Sequence, residues 1–266
     1  MTETPAEEKI LTRQDGPVSW LVFNQPEKRN AVSLDMSIRA LEAVQAFAAD
    51  DGQRVLVVRG GGEKAFVSGA DISEFEKNRN SAEASEEYSR ISVQMYDALH
   101  DIDKPTIAMI HGFCFGGGVA LAASCDLRIC ADDAVFSIPA ARLGIGYRVD
   151  FTRRIMNLIG PSRTRDLLYS ARRVSAEEAL SIGLADRVVP KAELETVATE
   201  YAETVAGNAP LSIRTSKVVI RELLKNPEDR DLDLCEAAIA ACADSKDFAE
   251  ARKAFMEKRK PTFTGT

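Results

Sequence analysis

The chain is poor in the residues that most metal and redox sites need: it has two histidines in 266 residues, and five cysteines with no C-x-x-C pair among them. Only His100 and His111 could join Cys114, Cys125, Cys130, Cys235 or Cys242 on a metal, and no spacing typical of a structural zinc site is present. The cysteines read as reduced thiols of a cytoplasmic protein without a metal. Excess positive charge is missing too. A formal net charge of −7 and a pI near 5.1 set nucleic acid and anionic membrane surfaces aside as principal partners. No apolar run is long enough to span a bilayer. The opening MTETPAEEKILTRQDG carries acids among its first eight residues and reads as neither a secretory signal nor a transit peptide. Dinucleotide (G-x-G-x-x-G), triphosphate (G-K-[ST]) and nucleophile-elbow (G-x-S-x-G) motifs are also absent.

What is there suits one large domain, or a domain with an appendage, and a hydrophobic content of 45% supplies a substantial core. Lys9 to Arg13 and Val18 to Phe23 alternate around Asp15-Gly16-Pro17 and predict a hairpin. Ser33 predicts the N-cap of a helix running to about Ala49. Val55 to Arg59, the segment AFVSGAD, Thr106 to Ile110 and Leu127 to Ala131 predict strands, and about Ala82 to His100 a helix. Strand, strand, helix recurring without strict repetition predicts an α/β fold wound as successive turns rather than one flat sheet. From about Lys191 onward the pattern is helical only. Residues 1–200 are thus expected to form the wound core with the site, and 201–266 a helical region with one face buried on the core or on another subunit.

The segment HGFCFGGGVALAASCDL, His111 to Leu127, poses the functional question. Three glycines open an apolar helix, where each costs about 1 kcal/mol relative to alanine. Unpaired N–H groups at such a helix start favour an anion, and the missing Cβ lets a ligand oxygen approach the main chain. Tight packing of the helix on a strand accounts for a glycine triplet equally well. A second segment, FVSGADISEF, stops a strand at Ser68-Gly69-Ala70 before a predicted helix. Asp71 and Glu74 have capping-box spacing, a reading favoured over a pair of catalytic carboxylates. If the amides of Ala70 and Gly117 converge, they form a two-donor hole for a developing oxyanion.

At this point the chain resembles the crotonase, or enoyl-CoA hydratase/isomerase, superfamily. NQPEKRNAVS, FVSGADISEF, KPTIAMIHGFCFGGGVALAASCDLRI, ARRVSAEEALSIGLADRVV and FMEKRKPTF follow one another in the family's order over nearly the whole chain. The resemblance implies a spiral of strand-strand-helix turns, a C-terminal helical trimerisation region, and a homotrimer or dimer of trimers. It implies an acyl-CoA thioester partner, with coenzyme A entering as part of the substrate and no separate cofactor. The thioester carbonyl is then held by the amides of Ala70 and Gly117. Lys28, Arg29 and Ala31, with Ser68, Asp71 and Ile72, would line the coenzyme A path. Phe255 and Lys258 would close its adenine end, from the same or a neighbouring subunit. Taken without the family order, the same residues read as a surface turn and a solvated basic helix end.

The resemblance breaks at two places. Hydratases of the family carry one glutamate in G-G-G-x-E-L and another in F-x-x-P-E, whereas this chain reads GGGVAL and FSIPAA, with Ala120 and Ala140 in those positions. The usual P-G-x-G-G turn is replaced by LGIGYRVDFTRR, which brings in Tyr147, Arg148 and Asp150. Asp150 reads either as a helix-start cap or as a pocket residue. Arg142, Arg153 and Arg154 read as surface or interface residues. The LGIGY tyrosine resembles one in methylmalonyl-CoA decarboxylases, which also have a histidine beside the oxyanion-hole turn; Gly69-Ala70-Asp71 has none. A phenol at Tyr147 could give a proton to an enolate, and Arg148 could hold a substrate carboxylate. Three readings follow: an enolate-stabilising enzyme with decarboxylase-, hydrolase- or isomerase-like chemistry, a non-catalytic acyl-CoA-binding member, and a hydratase whose carboxylate comes from elsewhere, with Asp150 the first candidate.

Overall fold

The computed structural model describes residues 8–74 and 82–266, the side chains of residues 74 and 82–89 excepted. The chain opens with the expected hairpin: β1 (Ile10–Asp15) pairs antiparallel with β2 (Val18–Phe23) across Gly16 and Pro17, with Ile10 opposite Phe23. Ser33 caps α1 (Leu34–Ala49), its hydroxyl accepting from the Met36 N–H, which satisfies one of the free donors of the first turn. Then come β3 (Val55–Gly60), β4 (Ala65–Val67), α2 (Ala82–Asp101), β5 (Thr106–Ile110), β6 (Phe113–Phe115), α3 (Gly117–Ser124), β7 (Leu127–Ala131), β8 (Val135–Ser137) and α4 (Val149–Ser170).

From β3 to β8 each turn of the chain places its first strand in the larger sheet and its second in the smaller one. The larger sheet has the order β1-β2-β3-β5-β7-β10, with β10 at Arg187–Val189, and all its pairs after the hairpin are parallel. The smaller has the order β4-β6-β8-β9, with β9 at Val174–Ser175; β4-β6 and β6-β8 are parallel. The strand of β6 was hidden in the sequence, because three residues between glycines carry no period. Strands of the larger sheet covered on both faces read as continuous apolar runs. Every residue of β5 is buried. One face packs against the helices through Leu21, Leu56, Val58, Ala108 and Ile110. The other, through Trp20, Val57, Ile107 and Ile129, meets α6 (Leu194–Ala206).

α5 (Ala176–Ile182) completes the wound part. The apolar positions of α6, namely Leu194, Ala198, Ala202 and Ala206, recur at three- and four-residue spacing and pack on the sheet. The change of architecture therefore follows Ala206, and the boundary expected near residue 200 falls inside a helix of the core. Beyond it lie α7 (Pro210–Leu223), α8 (Leu232–Ala243) and α9 (Lys246–Glu257), with α7 on α8 and α8 on α9. The tail folds back: Asp247 accepts from the N–H groups of Thr264 and Gly265, and Arg54 donates to the Phe263 carbonyl. Among the described residues no helix is long and apolar enough to cross a membrane.

Candidate active site

Three neighbouring parallel strands end together, and their C-terminal ends build the site. β4 runs into Ser68-Gly69-Ala70, β6 into Gly116-Gly117, and β8 into the 3-10 turn Pro139–Leu143 that carries Ala140. An isolated parallel bridge between Val32 and Ala70 adds the segment after Arg29 to the other side of β4. In it the Val32 N–H donates to the Gly69 carbonyl and the Asp71 N–H to the Val32 carbonyl, so the Ala70 N–H faces away. Among the described residues neither the Ala70 N–H nor the Gly117 N–H has an acceptor. The two lie on adjoining segments: a Cβ placed on Gly69 would stand 3.8 Å from Gly117 N, and one placed on Gly117 would stand 3.7 Å from Ala70 N. Two free donors from separate elements, open to solvent at Ala70, are what an oxyanion hole requires.

The three glycines meet three different demands. Gly116 caps α3 at φ 51° and ψ −110°, a left-handed conformation that a side chain would strain. Gly117 sits beside the hole, where a Cβ would come 3.0 Å from the Tyr96 hydroxyl. Gly118 is the packing glycine, since a Cβ there would lie 2.0 Å from the Val67 carbonyl oxygen. The packing reading of the triplet is thus realised at Gly118, while Gly117 leaves open the space beside the two amides that the ligand-approach reading requires. Gly118→Ala is expected to push α3 off β4 and cost about 1–3 kcal/mol or more, as overpacking does, a fall in Tm of about 2–12 °C for a chain of this size. Thermal melts by circular dichroism check it; Gly117→Ala, which meets only the end of a side chain, should melt closer to wild type.

The expected coenzyme A segments are brought together at this edge. Lys28 ends a 3-10 turn (Pro26–Lys28) and pairs with Asp71, Nζ to Oδ2 at 2.8 Å. Burial would raise the Asp71 pKa, but hydrogen bonds from Lys28 and from the Ser73 hydroxyl and N–H outweigh it and hold the carboxyl below its ordinary value. Asp71 therefore caps the 3-10 turn Ile72–Glu74, its carboxylate accepting from the Ser73 N–H; the Glu74 side chain, the other half of the expected capping box, and the helix expected to follow lie outside the described residues. The Ser68 N–H donates to the Arg29 carbonyl, and Arg29 stacks over Phe113 at 5.0 Å. Ala31 donates to the Lys28 carbonyl within the same turn, and Ile72 is exposed.

The residue that fixes this loop escaped sequence reasoning. Asn30 is fully buried, stands at φ 56°, and donates through Nδ2 to the carbonyls of Gly61, Ala65 and Phe66 while its Oδ1 accepts from the Gln25 N–H. An asparagine tolerates the left-handed region and can satisfy several main-chain groups at once. The only signal was its place beside two charged residues in a run that ends at a helix cap.

On the far side, Ala120 lies one turn into α3 and is fully buried, and Ala140 is half-buried against the core. Neither has a group that can move a proton. Among the described residues, the side-chain polar atoms placed against Gly116 and Gly117 are the hydroxyls of Tyr147 and Tyr96. Tyr147 Oη donates to the Gly116 carbonyl at 3.0 Å, and burial pushes its pKa well above the ordinary tyrosine value. Its ring packs edge-on to Phe151, which tilts against Tyr96. Arg148 is exposed and is itself the N-cap of α4, without a side-chain cap bond. Asp150 is therefore a first-turn residue and not the cap, and it pairs with Arg153 at 3.3 Å.

One of the arginines expected at the surface is not there. Arg142 and Arg153 are exposed, but Arg154 is buried, donating to Ser124 Oγ at 3.0 Å and to Asp97 at 2.6 Å. It ties α4 to α3 and α2 behind the hole. Phe255 and Lys258 belong to the C-terminal helices: α9 packs on α8, Phe255 is 82% exposed, and Lys258 caps the end of α9 in the left-handed region. The cysteines of the core are inert thiols, with burial pushing Cys125 and Cys130 up to about 12.

The geometry has counterparts among known proteins. The family model for enoyl-CoA hydratase/isomerase matches residues 13–266. A crotonyl-CoA hydratase from Syntrophomonas wolfei is 34% identical over 258 residues, 97% of this chain and 98% of the relative. A carnitinyl-CoA dehydratase from Salmonella agona is 33% identical over 263 residues, 97% and 99% of the two chains. The crystal structure of an enoyl-CoA hydratase/carnithine racemase from Magnetospirillum magneticum superposes with a TM-score of 0.93 at 32% identity, covering 98% of this chain and 97% of that one. With its wound two-sheet fold and a family match over residues 13–266, the chain belongs to the enoyl-CoA hydratase/isomerase family.

Proposed function

We propose that the protein acts on acyl-CoA thioesters by stabilising a thioester enolate between the amides of Ala70 and Gly117, with chemistry that does not use the two-glutamate hydration mechanism. The observation that carries this reading is the combination of two free N–H donors with alanines at both flanking positions, Ala120 and Ala140. A hole of this kind lowers the cost of negative charge on the thioester oxygen. By itself it supplies neither a base for water nor an acid for the α-carbon, and Ala120 and Ala140 supply neither. Loss of carbon dioxide from a malonyl-type thioester fits such a site, since the electron pair of the breaking bond passes into the enolate and the α-carbon then takes a proton from Tyr147 or from water. Hydrolase- or isomerase-like chemistry on an acidic acyl chain uses the same hole.

Arg148, exposed beside Tyr147, is assigned to the recognition of an acyl carboxylate. The turn Lys28–Ala31 and the segment Ser68–Ile72 are assigned to the coenzyme A path, and Phe255 with Lys258 to its adenine end in a neighbouring subunit, which the outward position of Phe255 supports. Exposed Leu232, Leu234, Ile239, Phe248 and Met256 on α8 and α9 support a homotrimer or dimer of trimers, since such residues are otherwise costly in water. The cytoplasm is the compartment that suits reduced thiols and a coenzyme A substrate.

A second reading is favoured by the names of the relatives at 33–34% identity, a hydratase and a dehydratase: hydration with Asp150 as the carboxylate. A non-catalytic acyl-CoA-binding protein is the third. Turnover of enoyl-, malonyl- and β-keto-CoA thioesters by purified protein, with carbon dioxide and free thiol followed separately, decides among them. Carbon dioxide or thiol release without hydration supports the first reading, fast hydration the second, and binding without turnover the third.

A further inference from the structure

Tyr147 donates its hydroxyl proton to the carbonyl of Gly116, and the N–H at the other end of that same peptide group is the Gly117 donor of the hole. In a planar trans peptide the C=O and N–H point in opposite directions, so a bond that fixes the carbonyl also aims the amide. We propose that Tyr147 is a positioning residue: through the shared Gly116–Gly117 peptide it orients and polarises the amide that receives the thioester oxygen. The proposal rests on the acyl-CoA reading above.

Three features support it. Gly116 and Gly117, the two residues that share this peptide, are both glycines, and Gly116 is held at φ 51° and ψ −110°, so the peptide needs external restraint to keep one orientation. The restraint comes from both sides of Gly116. The Gly116 N–H is tied to the Ser137 carbonyl at 2.8 Å, while its carbonyl takes the phenol in addition to the helix bonds from Val119 and Ala120. The phenol is itself held in place, since its ring packs edge-on to Phe151, 5.8 Å between centroids, and Phe151 lies against Tyr96. Hydrogen bonds in a chain polarise one another, and a donor placed on the peptide oxygen makes the N–H of that peptide a stronger donor. The tyrosine acts this way whether or not it also supplies a proton to the enolate.

The test uses butyryl-CoA labelled with ¹³C at the thioester carbonyl, a probe that lacks a double bond and a leaving carboxylate, with free thiol followed to check that it stays intact. Isotope-edited infrared spectra of the bound probe read polarisation of its carbonyl directly. Wild-type protein is expected to lower the carbonyl frequency relative to water. Tyr147→Phe is expected to keep the fold and bind the probe while losing about 10–30% of that shift, the usual range for cooperative strengthening. Replacement of Tyr147 by 3-fluorotyrosine, whose phenol is a stronger donor, is expected to enlarge the shift. A side chain that merely fills space would leave both shifts at the wild-type value, and a pure proton donor would lower kcat in the phenylalanine variant without moving the carbonyl band; either result overturns the proposal. Failure of wild-type protein to bind butyryl-CoA overturns the acyl-CoA reading, and the proposal with it.

Discussion

Purified protein is expected to hydrate crotonyl-CoA well below the usual kcat range of about 1 to 10³ s⁻¹, and Ala120→Glu combined with Ala140→Glu is expected to raise that rate. Hydration needs a base to activate water and an acid to protonate the α-carbon, each typically worth about 10²- to 10⁴-fold. The two effects will not add, because groups that act on one transition state depend on each other. Position 120 is fully buried behind the hole, so a glutamate there would be partly desolvated and its pKa raised, which suits a general acid. Position 140 is half-buried on the turn after β8 and offers the more hydrated place for a base. The measurement is the loss of enoyl absorbance with time for wild type, both single variants and the pair, beside thermal melts. Wild-type turnover within the usual range would instead assign the chemistry to Asp150, and Asp150→Asn should then abolish it.

The second large effect is expected at the hole. Replacing Ala70 by its α-hydroxy analogue, lactate, converts one amide into an ester, removes a single N–H and leaves the methyl group in place. On whichever thioester the protein turns over, kcat should fall by about 10²- to 10³-fold, as when one oxyanion donor is removed elsewhere, while KM changes little because the donor is worth most when charge has developed. The bridge to Val32 should weaken but persist, since the Gly69 carbonyl becomes an ester carbonyl, a poorer acceptor for the Val32 N–H, while the bond from the Asp71 N–H to the Val32 carbonyl is untouched. A parallel fall in kcat with glycolate at position 117 would show that both amides face the same oxygen. An unchanged kcat in either ester enzyme would remove that amide from the mechanism.

The parts of this fold written in local chemistry were legible. The hairpin around Gly16 and Pro17, the Ser33 cap, and the runs that became β3, β5 and β7 each depend on neighbours in the chain. The glycine triplet was legible as a demand on the backbone, but its division among a cap, a ligand approach and a helix-strand contact depends on β4, which is distant in sequence. Arg154 is the clearest miss. An arginine next to another arginine on a polar helix reads as solvated, and only the meeting of α2, α3 and α4 supplies Asp97 and Ser124 as partners. Tyr147 was placed near the acyl group by its distance from Ala140, yet the object of its hydroxyl, a carbonyl more than thirty positions upstream, could not be read from spacing. The end of the wound core was misplaced for a related reason. α6 carries small apolar residues that also suit a free-standing helix, and its attachment to the sheet is a tertiary fact.

The central claim is that a thioester oxygen sits between two particular amides. A crystal structure with butyryl-CoA bound tests it most directly. The thioester oxygen is expected within about 3 Å of both Ala70 N and Gly117 N, the usual N–H···O separation, with Tyr147 Oη still on the Gly116 carbonyl. The chain has another opening that could take the ligand, a cleft of roughly 700 Å³ between the core and the C-terminal helices, bordered by Arg54, Lys104 and Arg214. A thioester lodged there, or one whose oxygen reaches neither amide, would contradict the account.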